Sequence, residues 1–404
     1  MFLWERGTEI AIWGTGKRAR KFYLRYCNYF KVKFFVDNFS REDNLDSIKI
    51  IGPKDITVGK IKIVVAIDDY KEVCGQCKAL GMRFLDDYLP FDLIGFNSLD
   101  FMQLWELVGE DDIRGVFSKI VKNRSYCILI GNCQMSAVKK ILLSSKMFRT
   151  KYFILDVPLI HMITQEQMDI VQKCRFIFIE CSLYITQNIN KNNSLFPFYA
   201  TENIRCLADG HGQIIVIPVL YFDLYFPQTI HQNDANSLLS EVGILSFPYG
   251  DCILNELSKR YSVDDIIKIV CLDNLFSAKF LQWIYDTRLM EMQNREELCD
   301  VRIYDYIIKH FKEEQLFYSK NHPNRNVFVE FGNRLLYKLG FSDGKIEQIR
   351  MPVLDGWQEI IYPSVASYYG FCFDKTMYLD HIIDEECDLE EIIRLYLFTI
   401  CEKA

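Results

Sequence analysis

Blocks of hydrophobic residues alternate with amphipathic segments along the first quarter of the chain. The hydrophobic blocks have the length of buried strands and are Ile10–Trp13, Val32–Val36, Ile61–Ile67 and Arg83–Leu85. An amphipathic stretch at residues 18–30 separates the first two blocks. Strands that alternate with helices are typical of a parallel sheet with right-handed crossovers. The pattern therefore predicts a small α/β unit that is complete near residue 95.

The same alternation resumes after residues 96–122, which have the pattern of a helical connector. The predicted strands of this second region are Tyr126–Ile130, Tyr152–Leu155, Arg175–Ile179 and Gln213–Val219. A helix is predicted directly after Ile130, because apolar residues there recur at helical spacing. From residue 237 onwards the pattern is mainly helical, with long helices predicted at 264–292 and 295–318. The acidic run at 384–391 predicts the start of a solvated helix.

These patterns predict a chain of the α/β class in three parts. Residues 1–95 form a small N-terminal domain with a parallel sheet, and residues 96–122 form the connector. Residues 123–404 form a second α/β core with a large helical C-terminal part. The length of the chain agrees with this division, because single domains usually contain roughly 100–200 residues.

Composition narrows the class of protein. Of the 404 residues, 50% are hydrophobic and 25% are charged, which supports a large core and excludes a disordered or fibrous chain. The formal net charge of −7 argues against a nucleic-acid-binding protein. No apolar run reaches the ~18 residues of a transmembrane segment. Glu5 and Arg6 stand where a signal peptide needs its hydrophobic stretch, so the predicted location is cytoplasmic.

The chain contains 14 cysteines, scattered without the dense spacing of a small secreted scaffold. We therefore expect reduced thiols that are mostly buried as small hydrophobic residues. Cys74 and Cys77 form the one close pair and could be half of a zinc site or a redox motif. A structural zinc site normally needs four ligands, and no second pair accompanies this one. The sequence therefore predicts no metal site.

A glycine-containing turn follows the first predicted strand. Gly14, Gly16 and the acid Asp37 have the spacing of a dinucleotide-binding fingerprint, in which glycines let a phosphate approach a helix N-terminus. The alternative is that these glycines only make a tight turn. The segments Ile12–Gly16, Phe35–Asn38 and Ile51–Pro53 resemble the Rossmann-like domain attached to many bacterial sugar-modifying enzymes. That resemblance implies binding of a nucleotide sugar.

The richest chemistry lies at the end of the strand at Tyr126–Ile130, in Gly131-Asn-Cys-Gln134. Cys133 would lie beside helix N–H groups, an environment that favours a thiolate. His322 lies in a polar turn and could be the base of a nucleophile–base pair with Cys133. The alternatives are a buried structural cysteine and a histidine that only makes hydrogen bonds. Residues 113–155 contain nine Lys or Arg and no Asp or Glu, which indicates a phosphate-rich ligand or a solvated basic face.

The same region resembles the WcbI-type capsular polysaccharide biosynthesis family over about residues 125–345. The matching blocks, in chain order, are Ile128–Gln134, Tyr184–Gln187, Tyr199–Glu202, Ile217–Pro227 and Asn321–Asn324. The resemblance implies a partly SGNH-hydrolase-like α/β core with added helices. It also implies binding of coenzyme A or acetyl-coenzyme A, and a role in O-acetylating a surface sugar.

The resemblance assigns roles to individual residues. Cys133 takes the position of the nucleophilic serine of SGNH hydrolases, and His322 takes that of the base. Ser319 stands where the acid of those enzymes is expected, so another residue would have to orient the imidazole. The remaining candidates for positioning or oxyanion binding are Asn132, Gln134 and Gln187. Apart from the resemblance, Lys139 and Lys140 in the basic stretch, together with Arg325, are the candidates for binding coenzyme A.

The sequence therefore favours an O-acetyltransferase with a small-molecule acyl donor and a sugar or glycan acceptor. A thiol suits this reaction, because transfer from coenzyme A to Cys133 exchanges one thioester for another. The first alternative is a carbohydrate esterase or deacetylase that uses the same pair. The second is a non-catalytic protein that binds a nucleotide sugar or coenzyme A. The oligomeric state is left open.

Overall fold

The computed structural model describes residues 4–91, 98–121, 124–193, 196–230, 249–341, 346, 358–373, 378–380 and 385–401. The chain divides into two compact units. The first comprises residues 1–129, 148–184 and 208–213, and the second comprises residues 130–147, 185–207 and 214–404. Among the described residues, none of the helices combines the length and apolarity needed to cross a bilayer.

The secondary structure follows the predicted alternation in the first half of the chain and becomes mainly helical after residue 250. The strands are β1 (Glu9–Trp13), β2 (Lys31–Val36), β3 (Asn44–Leu45), β4 (Ile48–Ile51), β5 (Lys62–Val65), β6 (Tyr88–Pro90), β7 (Ser98–Asp100), β8 (Ser125–Ile130), β9 (Tyr152–Asp156), β10 (Leu183–Gln187), β11 (Gln213–Ile217), β12 (Thr229–Ile230), β13 (Gly250–Asp251), β14 (Phe317–Ser319), β15 (His322–Pro323), β16 (Tyr378–Asp380) and β17 (Glu385–Cys387).

The helices alternate with these strands at first and then follow one another. They are α1 (Lys17–Tyr26), α2 (Tyr70–Ala79), α3 (Phe101–Val121), α4 (Gln134–Ser144), α5 (Lys146–Lys151), α6 (Gln165–Lys173), α7 (Arg175–Ile179), α8 (Thr201–Ala208), α9 (Cys252–Leu257), α10 (Val263–Val270), α11 (Ala278–Glu297), α12 (Tyr304–His310), α13 (Arg325–Lys338), α14 (Pro363–Tyr369) and α15 (Leu389–Cys401). Short 3₁₀ turns lie at Pro53–Asp55, Lys191–Asn193 and Pro197–Tyr199.

The N-terminal sheet has the strand order β3-β4-β2-β1-β5-β6. All of its pairings are parallel except the short β3–β4 pair. β1 and β5 are almost entirely buried, as expected for parallel strands covered on both faces. The predicted α/β architecture with parallel sheets is therefore confirmed.

One predicted strand of this sheet is wrong. Arg83–Leu85 forms a turn, and the edge strand is β6, three residues later. The carboxylate of Asp87 accepts hydrogen bonds from the backbone N–H of Arg83 (2.9 Å) and from its guanidinium (3.0 Å). Leu85 has φ = 66°, a left-handed conformation that an extended strand does not contain. The chain therefore turns at these residues, and its pairing with β5 begins only at Tyr88.

The second sheet has the order β11-β10-β8-β9-β7, and β9 pairs in parallel with both β8 and β7. The predicted connector at 96–122 thus contributes an edge strand before its helix, which bends at Gly109 (φ 71°). Arg175–Ile179 was expected to be a strand but is the short helix α7, in which Ile177 and Phe178 are buried. Such a short apolar run does not distinguish a buried strand from a buried helix. The division of the chain at 95 and 122 stays a prediction.

The C-terminal helices are shorter than the sequence pattern predicts. The segment 264–292 is divided between α10 and α11, and each begins at a serine, Ser262 and Ser277, whose hydroxyl accepts a backbone N–H of the first turn. Residues 295–318 contain the end of α11, the helix α12 and the start of the β14–β15 hairpin. Residues 237–248 and 384 lie outside the described residues, and the acidic run continues into β17 and the first turn of α15.

The close cysteine pair belongs to the core of the first unit. Cys74 and Cys77 lie on α2, one turn apart, and both are buried among apolar residues of the N-terminal sheet. Burial raises the pKa of each thiol to about 12. Because the thiolate is the species that reacts and binds metals, these two cysteines act as hydrophobic packing residues.

Candidate functional site

Cys133 lies at the turn between a buried strand and a helix, where its sequence context predicts it. β8 ends at Ile130, Gly131 and Asn132 make the turn, and Cys133 is the N-cap residue of α4. The opposite face of α4 is buried, whereas Cys133 is partly exposed. The thiol is therefore held at a helix N-terminus and remains within reach of solvent.

Glycine is required at position 131 because a side chain packs directly over it. A Cβ there would lie 2.8 Å from Cδ of Gln187 and 2.9 Å from Cε of Met135. Carbon atoms in folded proteins do not approach so closely without repulsion. The glycine of the Gly-Asn-Cys motif thus lets Gln187 reach the turn that carries the thiol.

His322 is brought to Cys133 by the hairpin formed by β14 and β15. Its Nε2 lies 3.9 Å from Sγ of Cys133, within hydrogen-bond range for sulfur. The side chain is 6% exposed. Pro323 follows, and Asn324 caps α13 by accepting a hydrogen bond from the backbone N–H of Val327 at 3.0 Å. The position of His322 is therefore fixed by the hairpin to which it belongs and by the capped helix that follows it.

Ser319 contacts the other nitrogen of the imidazole. Its Oγ lies 2.9 Å from Nδ1 of His322 and 3.4 Å from Oδ1 of Asn321. If the hydroxyl donates to Asn321, it accepts the Nδ1 proton of His322, which leaves the Nε2 lone pair directed at the thiol. The residue that replaces the expected acid thus orients the ring itself, as a neutral partner.

The electrostatics of Cys133 differ from the sequence-based expectation of a thiolate. Burial raises the pKa of the Cys133 thiol above its ordinary value, and the backbone N–H groups of Cys133 and Gln134 oppose this only in part. The helix N-terminus is present as predicted, but loss of water outweighs it. The resting form is therefore a thiol, and its sulfur would become nucleophilic only if a base took the proton.

Three amide side chains predicted at the site form one hydrogen-bonded network. Gln187 accepts the backbone N–H of Asn132 at 2.8 Å and donates to Asn132 (3.2 Å) and Gln134 (3.0 Å). Gln134 donates to the carbonyls of Leu220 and Asn321, both at 2.7 Å, and accepts the N–H of Leu220 at 3.0 Å. All amide protons of the two glutamines are thereby used inside the protein.

This network assigns different roles to the three amides. Gln134 and Gln187 are 1% and 2% exposed and have no donor left for a substrate, so they position the turn. Oδ1 of Asn132 accepts from Gln134 and Gln187. Within the part of the chain that the structure describes, the side-chain nitrogen of Asn132 donates to no other residue, and the backbone N–H of Cys133 is directed at its own sulfur. These two groups are the candidates for binding an oxyanion beside Sγ.

Three further residues around the pair have no counterpart in the sequence motifs. Nζ of Lys320 lies 3.7 Å from the ring centroid of Tyr249, a cation–π contact. Burial raises the pKa of Tyr249, and negative charge on Glu359, or on Cys133 when it is ionised, raises it further. Glu359 accepts the backbone N–H of Lys320 at 2.7 Å. Lys320 could have been noticed as a neighbour of the Asn-His-Pro block, but no local signal marks Tyr249 or Glu359.

The predicted coenzyme A-binding cations lie at the surface of their helices. Lys139 is half-buried and Lys140 is exposed, both away from the buried face of α4. Arg325 is exposed in the first turn of α13, directly after the residue that caps that helix. The two helices begin beside Cys133 and His322, respectively. The role of these cations stays a prediction.

The predicted nucleotide site lies at the carboxyl ends of β1 and β2. Gly14 has φ = 121°, and a Cβ there would lie 2.7 Å from Cγ2 of Ile67, so the turn itself requires this glycine. Gly16 begins α1 with open space around it. Asp37 accepts the hydroxyl of Thr15 at 2.7 Å and two backbone N–H groups of its own turn. Nucleotide binding by these residues stays a prediction.

Fold and site together define an α/β protein with a thiol–imidazole pair at the carboxyl end of a parallel strand. The family model described as "Polysaccharide biosynthesis enzyme WcbI" matches residues 126–344, which include Cys133 and His322. This chain belongs to that family. Assignment of the core as SGNH-like and of the N-terminal domain as Rossmann-like stays a prediction.

A solved structure has the same fold at low sequence identity. It is that of native WcbI, a polysaccharide biosynthesis enzyme, described as lacking a disulfide bond between coenzyme A and one of its cysteines. The two chains are 16% identical with a TM-score of 0.58, and the match covers 70% of this chain and 91% of that one. No curated protein matches this chain.

Proposed function

We propose that this protein is an O-acetyltransferase that moves an acetyl group from acetyl-coenzyme A to a sugar hydroxyl during synthesis of a surface polysaccharide. The observation that carries this proposal is the 3.9 Å contact between Sγ of Cys133 and Nε2 of His322. It lies inside the segment that matches a family of polysaccharide biosynthesis enzymes. A nucleophile next to a base that is oriented by a third group is the arrangement that acyl transfer requires.

The residues present fit a coenzyme A thioester as the acyl donor. Cys133 is a partly exposed residue at the start of a helix, where the end of a flexible thioester arm can approach it. Lys139, Lys140 and Arg325 supply positive charge on α4 and α13 for the phosphates of the nucleotide part. The related WcbI structure is described by reference to a disulfide bond between coenzyme A and a cysteine, and this supports the choice of donor.

In the first step, Cys133 acquires the acyl group. Nε2 of His322 takes the thiol proton, and the sulfur attacks the thioester carbonyl. The developing oxyanion lies near the backbone N–H of Cys133 and the side-chain nitrogen of Asn132. The coenzyme A sulfur then leaves with the proton from His322. One thioester has replaced another, so this step has little net driving force in either direction.

In the second step, the acyl group passes to the sugar. Nε2 of His322 takes the proton of the acceptor hydroxyl, the hydroxyl oxygen attacks the thioester carbonyl of Cys133, and the sulfur leaves and recovers the proton. An ester is more stable than a thioester, so this step is favourable. Ser319 keeps the correct nitrogen of His322 directed at the reacting atoms throughout.

Transfer of radiolabelled acetyl groups to a sugar acceptor, with a denaturing quench, tests this mechanism. We expect Cys133→Ala to fold and bind coenzyme A but to lose acyl-enzyme and most turnover. His322→Ala should lose a factor of about 10²–10⁴, as is usual for a positioned general base. Ser319→Ala should lower kcat about tenfold, with little change in KM, because one neutral hydrogen bond is removed. Cys206→Ala is the matched control, since Cys206 is an exposed cysteine away from the motif.

The same assay separates the two alternative functions. An esterase would release acetate from an acetylated glycan without coenzyme A, and a binding protein would bind coenzyme A without turnover. Unchanged turnover in Cys133→Ala would remove the thiol from the mechanism. Unchanged turnover in His322→Ala as well would rule out this site as the catalytic centre.

A further inference from the structure

The hairpin that carries His322 is hydrogen-bonded to Glu359, a residue that lies outside the segment matched by the family model. Glu359 donates its backbone N–H to the carbonyl of Tyr318 at 2.7 Å. Its carboxylate accepts the backbone N–H of Lys320, also at 2.7 Å. These two contacts lie on either side of Ser319, the residue that touches the imidazole. The main chain and the side chain of Glu359 thus both bind the hairpin next to Ser319, which orients the imidazole ring.

The carboxyl group of Glu359 is enclosed by protein. It is also hydrogen-bonded by the hydroxyl of Thr229. The neighbouring cavity, about 10 Å³, has room for about one water. Stabilisation of its charge therefore depends on Thr229, on the N–H of Lys320 and on the ammonium group of Lys320.

The titratable groups around Glu359 come from several elements. Lys320 lies in the hairpin and favours the charged carboxylate, whereas Asp251 at the start of α9 disfavours it. Tyr249 and Tyr221 face the same charge, and burial raises the pKa of both phenols, so they are neutral near pH 7. Burial raises the pKa of Glu359 to about 7. Its charge therefore changes near neutral pH.

We propose that Glu359 is a positioning residue for the Cys133–His322 pair, whose ionised carboxylate fixes the hairpin so that the imidazole stays within reach of the thiol. A charge-assisted hydrogen bond is shorter and stronger than a neutral one, so ionisation of Glu359 tightens the hold on the N–H of Lys320. The contact between Cys133 and His322 is long, at 3.9 Å, and proton transfer across it is sensitive to small displacements. The reactivity of the thiol should then follow the charge of Glu359.

The test measures alkylation of Cys133 by iodoacetamide as a function of pH, resolved by peptide mass spectrometry. This readout does not depend on the proposed acetyl transfer, so it stays informative even if that function is wrong. His322→Ala gives the rate without the base. We expect the wild-type rate divided by the Glu359→Gln rate to rise from about one at pH 5.5 to about five at pH 8.5, with a midpoint near 7. The expected fivefold ratio of the two alkylation rates, ~1 kcal/mol, follows from replacing a charged hydrogen bond with a neutral one of the same shape.

Two further variants identify the cause. Lys320→Met removes the ammonium group but keeps the backbone N–H, so the midpoint should move to higher pH. Thr229→Val removes a donor to the carboxylate and should shift the midpoint in the same direction. The Thr229→Val profile also replaces the ratio if Glu359→Gln does not fold. A rate ratio of one at every pH, or a midpoint that moves to lower pH in either variant, would overturn the proposal.

Discussion

At the scale of single residues, the imidazole of His322 is held by neutral groups. Nδ1 contacts the hydroxyl of Ser319 and Nε2 contacts the thiol of Cys133, which burial keeps protonated. A carboxylate in place of Ser319 would favour a resting imidazolium–thiolate pair. With a hydroxyl there, the pair is neutral at rest, so in the proposed mechanism the proton leaves the sulfur as the sulfur attacks. The distance between the thiol and the imidazole is therefore important, and the amide network that positions the turn at Cys133 helps to set it.

Gln134 is the residue whose loss should damage this geometry most. Its side chain makes four hydrogen bonds in a buried position, to Leu220, Asn321 and Gln187. Gln134→Leu keeps the volume but leaves these partners unsatisfied, so we expect the free energy of unfolding to fall by about 3 kcal/mol or more. Urea denaturation measures this. Lys140→Gln, an exposed change on the same helix, should stay within about 0.5 kcal/mol of wild type. Equal stability of the two variants would contradict the structural role of the network.

At the scale of elements, the two helices that begin next to Cys133 and His322 pack against each other through a glycine. Gly332 of α13 faces Ile141 of α4, and a Cβ at position 332 would overlap Cγ2 of Ile141 and lie 3.1 Å from its Cδ1. α4 begins directly after Cys133, and α13 begins three residues after His322. The spacing of these helices therefore bears on the distance between thiol and imidazole.

Gly332→Ala should separate the helices. Glycine to alanine in a helix usually stabilises by up to about 1 kcal/mol, but overpacking a core costs about 1–3 kcal/mol, so we expect net destabilisation. We also expect slower alkylation of Cys133. Gly75→Ala on α2 is the matched control, because nothing lies within 4 Å of its Cβ. Thermal unfolding should show opposite shifts of Tm for the two variants, and shifts of the same sign would contradict this packing argument.

Local pattern was sufficient where an element is long or strongly periodic. It predicted β1, β8, α4 and the strand–helix turn at Cys133. It failed at α7, because five apolar residues fit a buried helix as well as a strand, and at Arg83–Leu85, because a side-chain contact with Asp87 made the turn. The proposed pair could be predicted because both residues lie in ordered motif blocks. Tyr249 and Glu359 could not, since their position at the site depends on contacts between distant segments.

At the scale of the whole molecule, two buried carboxyl groups couple stability to pH. Burial raises the pKa of Asp251 from 3.8 to about 6 and that of Glu359 from 4.5 to about 7. Between these unfolded and folded values, the folded chain binds more protons than the unfolded chain. The stabilisation from these groups is therefore complete below about pH 4 and is lost as pH rises to about 7.

We accordingly expect the free energy of unfolding to fall between pH 4.5 and pH 7, with each group contributing at most about 1.4 kcal/mol per pH unit. Glu359→Gln and Asp251→Asn should each flatten this dependence, and the double variant should flatten it further. Urea unfolding across this range measures the slopes. A slope that does not change in either variant would mean that these carboxyls titrate alike in the folded and unfolded chains.

Cys133 and His322 are separated by 189 positions along the chain. At about 5–20 residues per second, a ribosome needs about 10–40 s to travel from one to the other. During that interval the nascent chain lacks His322, so the thiol is without the imidazole that contacts it in the folded protein. The contact between Cys133 and His322 can therefore form only after residue 322 has been made and its hairpin has docked.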